Sequence, residues 1–295
     1  MFTTLFNVIA PVVLCLGVGF VWGRSRVAYA HEFVTRLIIL IGAPCLIVSS
    51  INGSSLATND FLTMAGLTLA MMAGSAVVGI LVFRLAGLDV PSLSVAVIFS
   101  NAGNMGLSLS LFAFGRDGLA LALIIFVTMS LTQYTSADLV LSREGSLARR
   151  FARIARQPLV YGALVAFLLI VTGWKLPPSL ARTTGLLGDM TIPLMLLTLG
   201  VSLARLEAGD WAAGGLIAVT RLGGGLLVGL GVVWLFGVSG LAAKVLVLQS
   251  AMPSAVFNYL LALKYDRQPG AVASGVVIST FCSFVTLPIV LTFLL

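Results

Sequence analysis

Two apolar stretches of the 295-residue chain are each interrupted near the middle, and these interruptions decide the fold. Residues 95–115 read VAVIFSNAGNMGLSLSLFAFG, and residues 245–263 read VLVLQSAMPSAVFNYLLAL. Asn favours caps and turns over helix interiors, and glycine weakens a helix by about 1 kcal/mol relative to alanine. Proline removes an intrahelical hydrogen bond and disfavours helical geometry at the residue before it. Both stretches are therefore predicted to be helices that break near their centres.

The composition places these broken helices in a membrane. Hydrophobic residues make up 59% of the chain and charged residues 9%, and the mean hydropathy is +1.12. A soluble domain carries roughly 25% charged residues, because its surface must be solvated. The ten-residue alternation of an outer-membrane barrel is absent, whereas 31 glycines suit closely packed helices. We predict an all-α polytopic membrane protein in a lipid bilayer.

Polar residues divide the chain into ten apolar segments, and a membrane-spanning helix needs about 17 to 25 residues. The predicted spans are 3–23, 34–51, 61–86, 91–114, 118–141, 158–174, 183–204, 211–236, 240–263 and 270–294. They form two groups of five, in residues 1–141 and 158–295, which a basic cytoplasmic linker over 142–157 joins. The interrupted stretches belong to spans 4 and 9.

The positions of Lys and Arg predict the orientation, because these residues are retained on the cytoplasmic side during insertion. Most of the 17 fall in loops on one side of the membrane: Arg24, Arg26, Arg36, Arg84, Arg143, Arg149, Arg150, Arg153, Arg156, Arg205, Lys264 and Arg267. Both termini are then expected on the outer, periplasmic side of the plasma or inner membrane. The net charge of +7 follows from topology, so no nucleic-acid partner is predicted.

The two halves resemble each other at a fixed spacing. Pro44 in LIILIGAPCLI and Pro193 in LLGDMTIPLML are 149 positions apart, and the breaks align Ser100 with Ser250 at a spacing of 150. Because each half holds five spans, an odd number, the second half must be inverted relative to the first. Inverted repeats are typical of secondary transporters, which bind substrate near the bilayer midplane where the repeats meet.

The paired breaks suggest the chemistry of the substrate. Broken helices at membrane depth are tolerated where they face protein or a water-filled cavity. The half-helices that start at the breaks direct free N–H groups and the positive end of the helix dipole toward the membrane centre, which favours an anion such as a carboxylate. The alternative is that the Gly and Ser residues only pack helices and that the proline only kinks one.

Four segments resemble the auxin efflux carrier family, of the bacterial short-loop type: NAGNMG from Asn101, QPLVYGAL from Gln157, MTIPLMLLTLGVSL from Met190 and AMPSAVFNYLLALKY from Ala251. This family includes the plant auxin exporters and bacterial members proposed to carry malonate, malate and other small organic acids. The resemblance implies ten helices in two inverted repeats, with crossed, broken helices 4 and 9. It also implies kinship with bile-acid/sodium symporters and sodium–proton transporters, and elevator-type alternating access.

By this resemblance, seven residues would bind substrate at the crossing of the broken helices: Asn101, Gly103, Asn104, Ser108, Pro253, Ser254 and Asn258. Two features depart from the family pattern. Ser108 stands where the family usually has proline. The linker between the halves is short, whereas the plant exporters have a long cytosolic loop, so auxin itself is a poor guess for the substrate.

Arg221 and Asp189 are the charged residues that the predicted spans place at depth, and charges there are costly. Arg221 could hold a substrate carboxylate or form an ion pair with Asp189, and Asp189 could instead bind a cation or a proton. Neither the single His31 nor Cys15, Cys45 and Cys282 fit a metal motif, so no metal or other cofactor is predicted. Coupling to protons or to sodium stays open.

The sequence therefore predicts a secondary transporter of a small organic anion, such as malonate or malate. The alternative is a membrane-embedded receptor or scaffold that uses this fold without net flux. An enzyme is not expected, because an intramembrane hydrolase needs a nucleophile beside His or Lys, or two facing aspartates at depth. Apolar outer faces also permit a homodimer.

Overall fold

A computed structural model describes residues 2–54, 56–141 and 157–295, and these residues are almost entirely helical. The helices are α1 Phe2–Arg24, α2 His31–Leu37, α3 Ala43–Asn52, α4 Thr58–Leu85, α5 Val90–Ile98, α6 Ser108–Leu141, α7 Pro158–Thr172, α8 Pro178–Asp189, α9 Thr191–Arg205, α10 Trp211–Val219, α11 Gly225–Leu235, α12 Gly240–Ser250, α13 Val256–Lys264 and α14 Pro269–Leu294. The predicted basic linker over 142–157 lies, except for its last residue, outside the described residues.

Seven helical runs in the described ranges are long and apolar enough to cross a membrane: Thr3–Arg24, His31–Asn52, Thr58–Leu85, Ala102–Gln133, Pro178–Arg205, Trp211–Leu235 and Pro269–Leu294. Two shorter apolar helices, α7 and α12, accompany them. Large apolar side chains point outward from these helices, for example Leu85 at 89% and Trp234 at 83% exposure. Such a surface suits lipid and not water. The prediction of an all-helical polytopic membrane protein is confirmed.

Within the described residues, three wide, π-helical turns interrupt the regular helices, at Ile38–Gly42, Ala102–Leu107 and Thr220–Gly224. They join α2 to α3, lead into α6, and join α10 to α11. Such turns are rare and are often found at functional sites. The second of them begins directly after Asn101 and contains the rest of the NAGNMG segment, so the predicted break in span 4 coincides with a departure from α-helical geometry.

Long helix α6 is bent at Gly115, where φ is +69° and the backbone is not helical. A positive φ of this size is strained for residues with a side chain, which explains a glycine here. The bend falls between the predicted spans 91–114 and 118–141, so α6 contains the end of the first and all of the second.

The ends of α4 and α11 have the same geometry at matching positions of the two halves. Gly87 and Gly237, 150 positions apart, follow these helices with φ of +68° and +62°. In both turns the glycine N–H bonds to the carbonyl three residues earlier, and the next N–H bonds to the carbonyl five residues before it. This is a Schellman cap, which satisfies carbonyls that the helix end leaves free.

The same two helical runs approach each other closely through equivalent positions. A Cβ on Gly74 of α4 would lie 2.7 Å from Cγ1 of Val228 in α11, and a Cβ on Gly224 would lie 2.9 Å from Cγ1 of Val78 in α4. Gly74 and Gly224 are 150 positions apart, and so are Val78 and Val228. Each glycine–valine contact therefore has its equivalent in the other half. Glycine at a helix interface lets the two backbones come near in a membrane.

The helices pack as two groups. In the first, α1 and α2 pack on α9, and α3 packs on α7 and α8. In the second, α4 packs on α5 and α6, α11 packs on α12, and α14 packs on α10 and α13. The helices that contain the two breaks, α5, α6, α12 and α13, all belong to the second group, and the breaks lie where this group faces the first.

Candidate functional site

Two non-helical segments, 99–101 and 251–255, cross and pair with each other where the second group faces the first. Ser100 and Ser254 form an isolated antiparallel β-bridge. On its two sides the Asn101 N–H donates to the Pro253 carbonyl at 2.7 Å, and the Ala255 N–H donates to the Phe99 carbonyl at 3.2 Å. The predicted breaks therefore meet directly, and each satisfies backbone groups that the other leaves without a helical partner.

The polar side chains of the second break form hydrogen bonds with other residues at the crossing. The Ser254 hydroxyl donates to the Ala96 carbonyl at 2.8 Å. The Asn258 amide donates to the Phe99 carbonyl at 2.8 Å and to the Ser254 hydroxyl at 3.0 Å, and it accepts a bond from the Gln133 side chain at 2.8 Å. Ser254 and Asn258 are buried, so these bonds are formed away from water. These hydrogen bonds hold α13 against the end of α5.

The first break differs, because it has an unpaired side-chain donor. Asn101 is 3% exposed, and its Nδ2 is buried without a hydrogen-bond partner among the described residues. It immediately precedes the wide turn that leads into α6, and the first N–H groups of a helix have no intrahelical acceptor. An unpaired buried polar group costs roughly 1–3 kcal/mol. A ligand that accepts hydrogen bonds at this place would relieve that cost.

A cavity of about 360 Å³ opens at the first break, between the two groups of helices. Its polar lining includes Asn101, Gly103, Asn104, Ser130, Gln133 and Tyr259 from the second group, and His31, Thr35, Thr198, Ser202 and Arg205 from the first. Apolar residues such as Phe126 and Met129 form much of the remaining wall. This size and mixture are typical of a small-molecule site.

The wall from the first group is a polar stripe along α9, which sequence reasoning missed. Thr198, Ser202 and Arg205 follow one another at spacings of four and three, so they lie on one face of the helix. The Thr198 hydroxyl lies 2.6 Å from the hydroxyl of Tyr29, and the Ser202 hydroxyl lies 3.0 Å from Nε2 of His31. Arg205 is exposed and is the permanently charged residue in the described lining. The spacing of three polar residues in an apolar helix was the available signal.

The predicted site residues divide between the cavity and the crossing. Asn101, Gly103 and Asn104 line the cavity. The other four lie outside the described lining: Ser108, Pro253, Ser254 and Asn258. The buried Ser108 hydroxyl donates to the Met105 carbonyl at 2.8 Å, within its own helical run.

Two glycines of NAGNMG are required by close packing. A Cβ on Gly103 would lie 2.7 Å from the ring of Phe126, and one on Gly106 would lie 2.2 Å from Oε1 of Gln249. Gln249 belongs to α12, the helix that leads into the second break. Gly106 therefore allows the two broken helices to approach each other, while Gly103 lets an aromatic ring close one side of the cavity.

Arg221 and Asp189 do not form the ion pair that was one of the two alternatives for Arg221. The Arg221 guanidinium donates to the backbone carbonyls of Val97 and Ser250, and the residue is 1% exposed. Asp189 is exposed at the end of α8. The salt bridge found in the described part of the chain is instead Arg36 with Glu32, at 2.6 Å. Arg221 also lies outside the described lining of the cavity, so it does not reach a ligand there.

Metal ligands are not clustered in the part of the chain that the structure describes, where no group of three His, Cys, Asp or Glu residues comes together. Cys15, Cys45 and Cys282 are all free thiols. The polar side chains that line the cavity carry amides, hydroxyls, one imidazole and one guanidinium.

The sequence pattern of a family described as membrane transport protein, Mem_trans, matches residues 4–291. The chain belongs to this family. It is 31% identical to an uncharacterized transporter of Methanothermobacter thermautotrophicus over 269 residues, which cover 87% of this chain and 86% of the relative. It is 25% identical to an uncharacterized transporter of Methanocaldococcus jannaschii over 300 residues, or 95% of this chain and 96% of that one.

This family is that of the auxin efflux carriers, so the resemblance seen in four sequence segments is confirmed. Family and relatives are membrane transporters and not enzymes. The long apolar helices agree with a multi-pass protein in a bilayer.

Proposed function

We propose that the protein is a secondary transporter that binds a small organic anion in the cavity at the first break. The observation that carries this proposal is the buried, unpartnered Nδ2 of Asn101 beside the N-terminus of the helical run that enters α6. An amide donor and the positive end of a helix dipole, where the first N–H groups lack intrahelical acceptors, together favour a negatively charged group.

The charge of the cavity supports the same class of substrate. Arg205 contributes a positive charge, and no Asp or Glu occurs in the described lining. Guanidinium groups bind carboxylates through charge-assisted hydrogen bonds, which are roughly twice as strong as neutral ones. A carboxylate of the size of malonate or malate fits a cavity of about 360 Å³.

We also propose that residues 1–141 and 158–295 are inverted five-helix repeats, which together give ten spans. The matching caps at Gly87 and Gly237 support this, as do the reciprocal contacts of Gly74 and Gly224. Packing supports it too. Helix α1 corresponds to α7 in the other half, and α3 corresponds to α9; α1 packs on α9, and α7 packs on α3.

Alternating access would then come from movement of one group of helices against the other. The cavity lies between the groups, and the group that contains both breaks would carry the substrate as an elevator-type unit. Inverted-repeat transporters rock or shift one bundle around a fixed midplane site in this way. We place the protein in the plasma or inner membrane with both termini outside, and the apolar faces permit a homodimer.

Counterflow of labelled malonate or malate in proteoliposomes tests the proposal. We expect counterflow by the wild type and its loss in Asn101→Ala, because the variant removes the free donor at the cavity. Asn59→Ala is the matched control, since Asn59 is exposed at the start of α4. Saturable binding of these acids without counterflow would instead support a receptor. Normal counterflow by Asn101→Ala would remove this site assignment.

A further inference from the structure

A buried, positively charged side chain lies at the crossing. It takes no part in the proposed binding of an anion in the cavity. Arg221 lies in the wide turn Thr220–Gly224 of the second group and is 1% exposed. Its two terminal nitrogens donate to the carbonyls of Val97 and Ser250. No acidic side chain pairs with it in the described residues. A buried charge without a counter-ion is costly, so the two carbonyl partners must account for its presence.

Both carbonyls belong to helix ends. Val97 is in the last turn of α5, and Ser250 is the last residue of α12. The final four carbonyls of a helix have no intrahelical donor, and the C-terminus carries about half a negative elementary charge. Two negative helix ends therefore converge on one guanidinium. The charge of these two helix ends is opposite in sign to that of the helix N-terminus beside the cavity.

The surrounding backbone is shaped for the guanidinium. A Cβ on Gly225 would lie 2.0 Å from Nη2 of Arg221 and 2.6 Å from the Ser250 carbonyl oxygen. Four residues on, a Cβ on Gly229 would lie 2.0 Å from Oγ of Ser250. The two glycines lie on one face of α11, so this face allows α12 to end directly against the turn that carries Arg221.

We propose that Arg221 is a resident cation of the crossing, which takes the place of a bound alkali-metal ion. In transporters with broken helices, the C-terminal ends of half-helices and unwound carbonyls coordinate Na⁺. Here the chain fills such a position with its own guanidinium, so this position holds no coupling Na⁺. Arg221 is a positioning residue: it orients the ends of α5 and α12 without touching the substrate. Only the expected effect on transport rests on the proposed function; the role of Arg221 in the crossing does not.

Thermal unfolding of the purified full-length protein tests the resident cation without any transport measurement. Midpoints are compared in choline, sodium, lithium and guanidinium chloride at the same millimolar concentration. We expect the wild-type midpoint to be the same in all four salts. Arg221→Ala should unfold several degrees lower, and guanidinium should restore part of that loss because it can re-enter the vacated position. Arg182→Ala, which removes an exposed arginine of α8, should match the wild type in every salt.

A second pair of variants separates the charge from simple packing. Arg221→Lys keeps a positive charge that can reach one carbonyl, while Arg221→Met keeps a side chain of similar length without charge. We expect the lysine variant to unfold between the wild type and the methionine variant. Equal midpoints for the two variants would overturn the proposal, as would guanidinium having no effect on Arg221→Ala.

Transport supplies the third measurement. Counterflow of malonate or malate by the wild type should be equal in sodium and in choline. A saturable sodium requirement, or a wild-type midpoint that rises saturably with sodium, would overturn the proposal even if no Arg221 variant folds. Absence of counterflow for every acid would remove the proposed function, and the unfolding experiments would still decide the role of Arg221.

Discussion

The two helix breaks meet at one crossing and occupy matching positions in the two halves, yet they use their polar side chains differently. At the second break, the Ser254 and Asn258 side chains bind backbone and side-chain partners across the crossing. At the first break, Nδ2 of Asn101 has no partner in the described part of the chain, and the residue lines the cavity. Both breaks reach the cavity, since Ala255 also lines it, but the polar side chains of the second break are held by internal bonds, whereas the Asn101 amide of the first is left for a ligand.

This difference shows how a nearly symmetric scaffold can hold an asymmetric site. A buried donor without an acceptor costs roughly 1–3 kcal/mol, whereas satisfied donors contribute about 1 kcal/mol each. The second break therefore stabilises the crossing, and the first keeps an unsatisfied group that a substrate can pair. Substitutions at the second break should lower stability, and those at the cavity should lower affinity.

Asn258→Leu should have the largest effect on stability. The change removes three hydrogen bonds, to Phe99, Ser254 and Gln133, from a residue that is 1% exposed. We expect the free energy of unfolding to fall by about 3 kcal/mol, measured as a lower thermal midpoint in detergent. Asn59→Leu, at an exposed position, is the control. An unchanged midpoint for Asn258→Leu would mean that the second break does not fasten the crossing.

Gly106→Ala should be the next largest. Its methyl group would lie 2.2 Å from Oε1 of Gln249, whose amide donates to the Ser110 hydroxyl at 3.1 Å. Either this side chain moves and loses the bond, or the helices separate, so we expect a loss of about 1–3 kcal/mol in unfolding free energy. Gly66→Ala is the matched control, because a Cβ there meets nothing within 4 Å. If the two variants have the same free energy of unfolding, the close approach of the broken helices is not required for stability.

Arg205→Gln should act on binding and leave the crossing intact. Arg205 is exposed at the end of α9 and lines the cavity from the group that lacks the breaks. We expect Kd for malonate to rise about tenfold, or about 1.4 kcal/mol, with a weaker dependence of affinity on salt than in the wild type. Calorimetric titration at two ionic strengths measures both. Arg182→Gln should behave as the wild type, and equal affinities in all three proteins would exclude Arg205 from the site.

The helical framework could be predicted from the sequence because its signals are local. Apolar runs of spanning length predicted the long helices, and the Asn, Gly and Pro residues within 95–115 and 245–263 predicted both breaks. Family membership was likewise visible in four short segments. These features depend on residues close together in the chain, and local propensity is enough to detect them.

The site was harder to predict because its contacts join distant residues. Arg205 looked like one of many topological charges, and its place at the cavity depends on how α9 packs against the other group. Arg221 was expected to pair with a carboxylate, but its partners are backbone carbonyls, which every residue carries and no sequence pattern marks. In the same way, nothing local distinguishes Asn258, which binds within the crossing, from Asn101, which does not.

Asn101→Ala should have the smallest effect on stability and gives the sharpest contrast with Asn258. Because Nδ2 of Asn101 has no protein partner to lose, and its removal relieves the cost of an unpaired donor, we expect the free energy of unfolding to fall by no more than about 1 kcal/mol or to rise. Malonate at 100 times its Kd should stabilise the wild type by about 2.7 kcal/mol and the variant by much less. Thermal unfolding with and without malonate measures both quantities. A large loss of stability in the ligand-free variant would place Asn101 among the residues that hold the crossing, and the two breaks would then serve the same purpose.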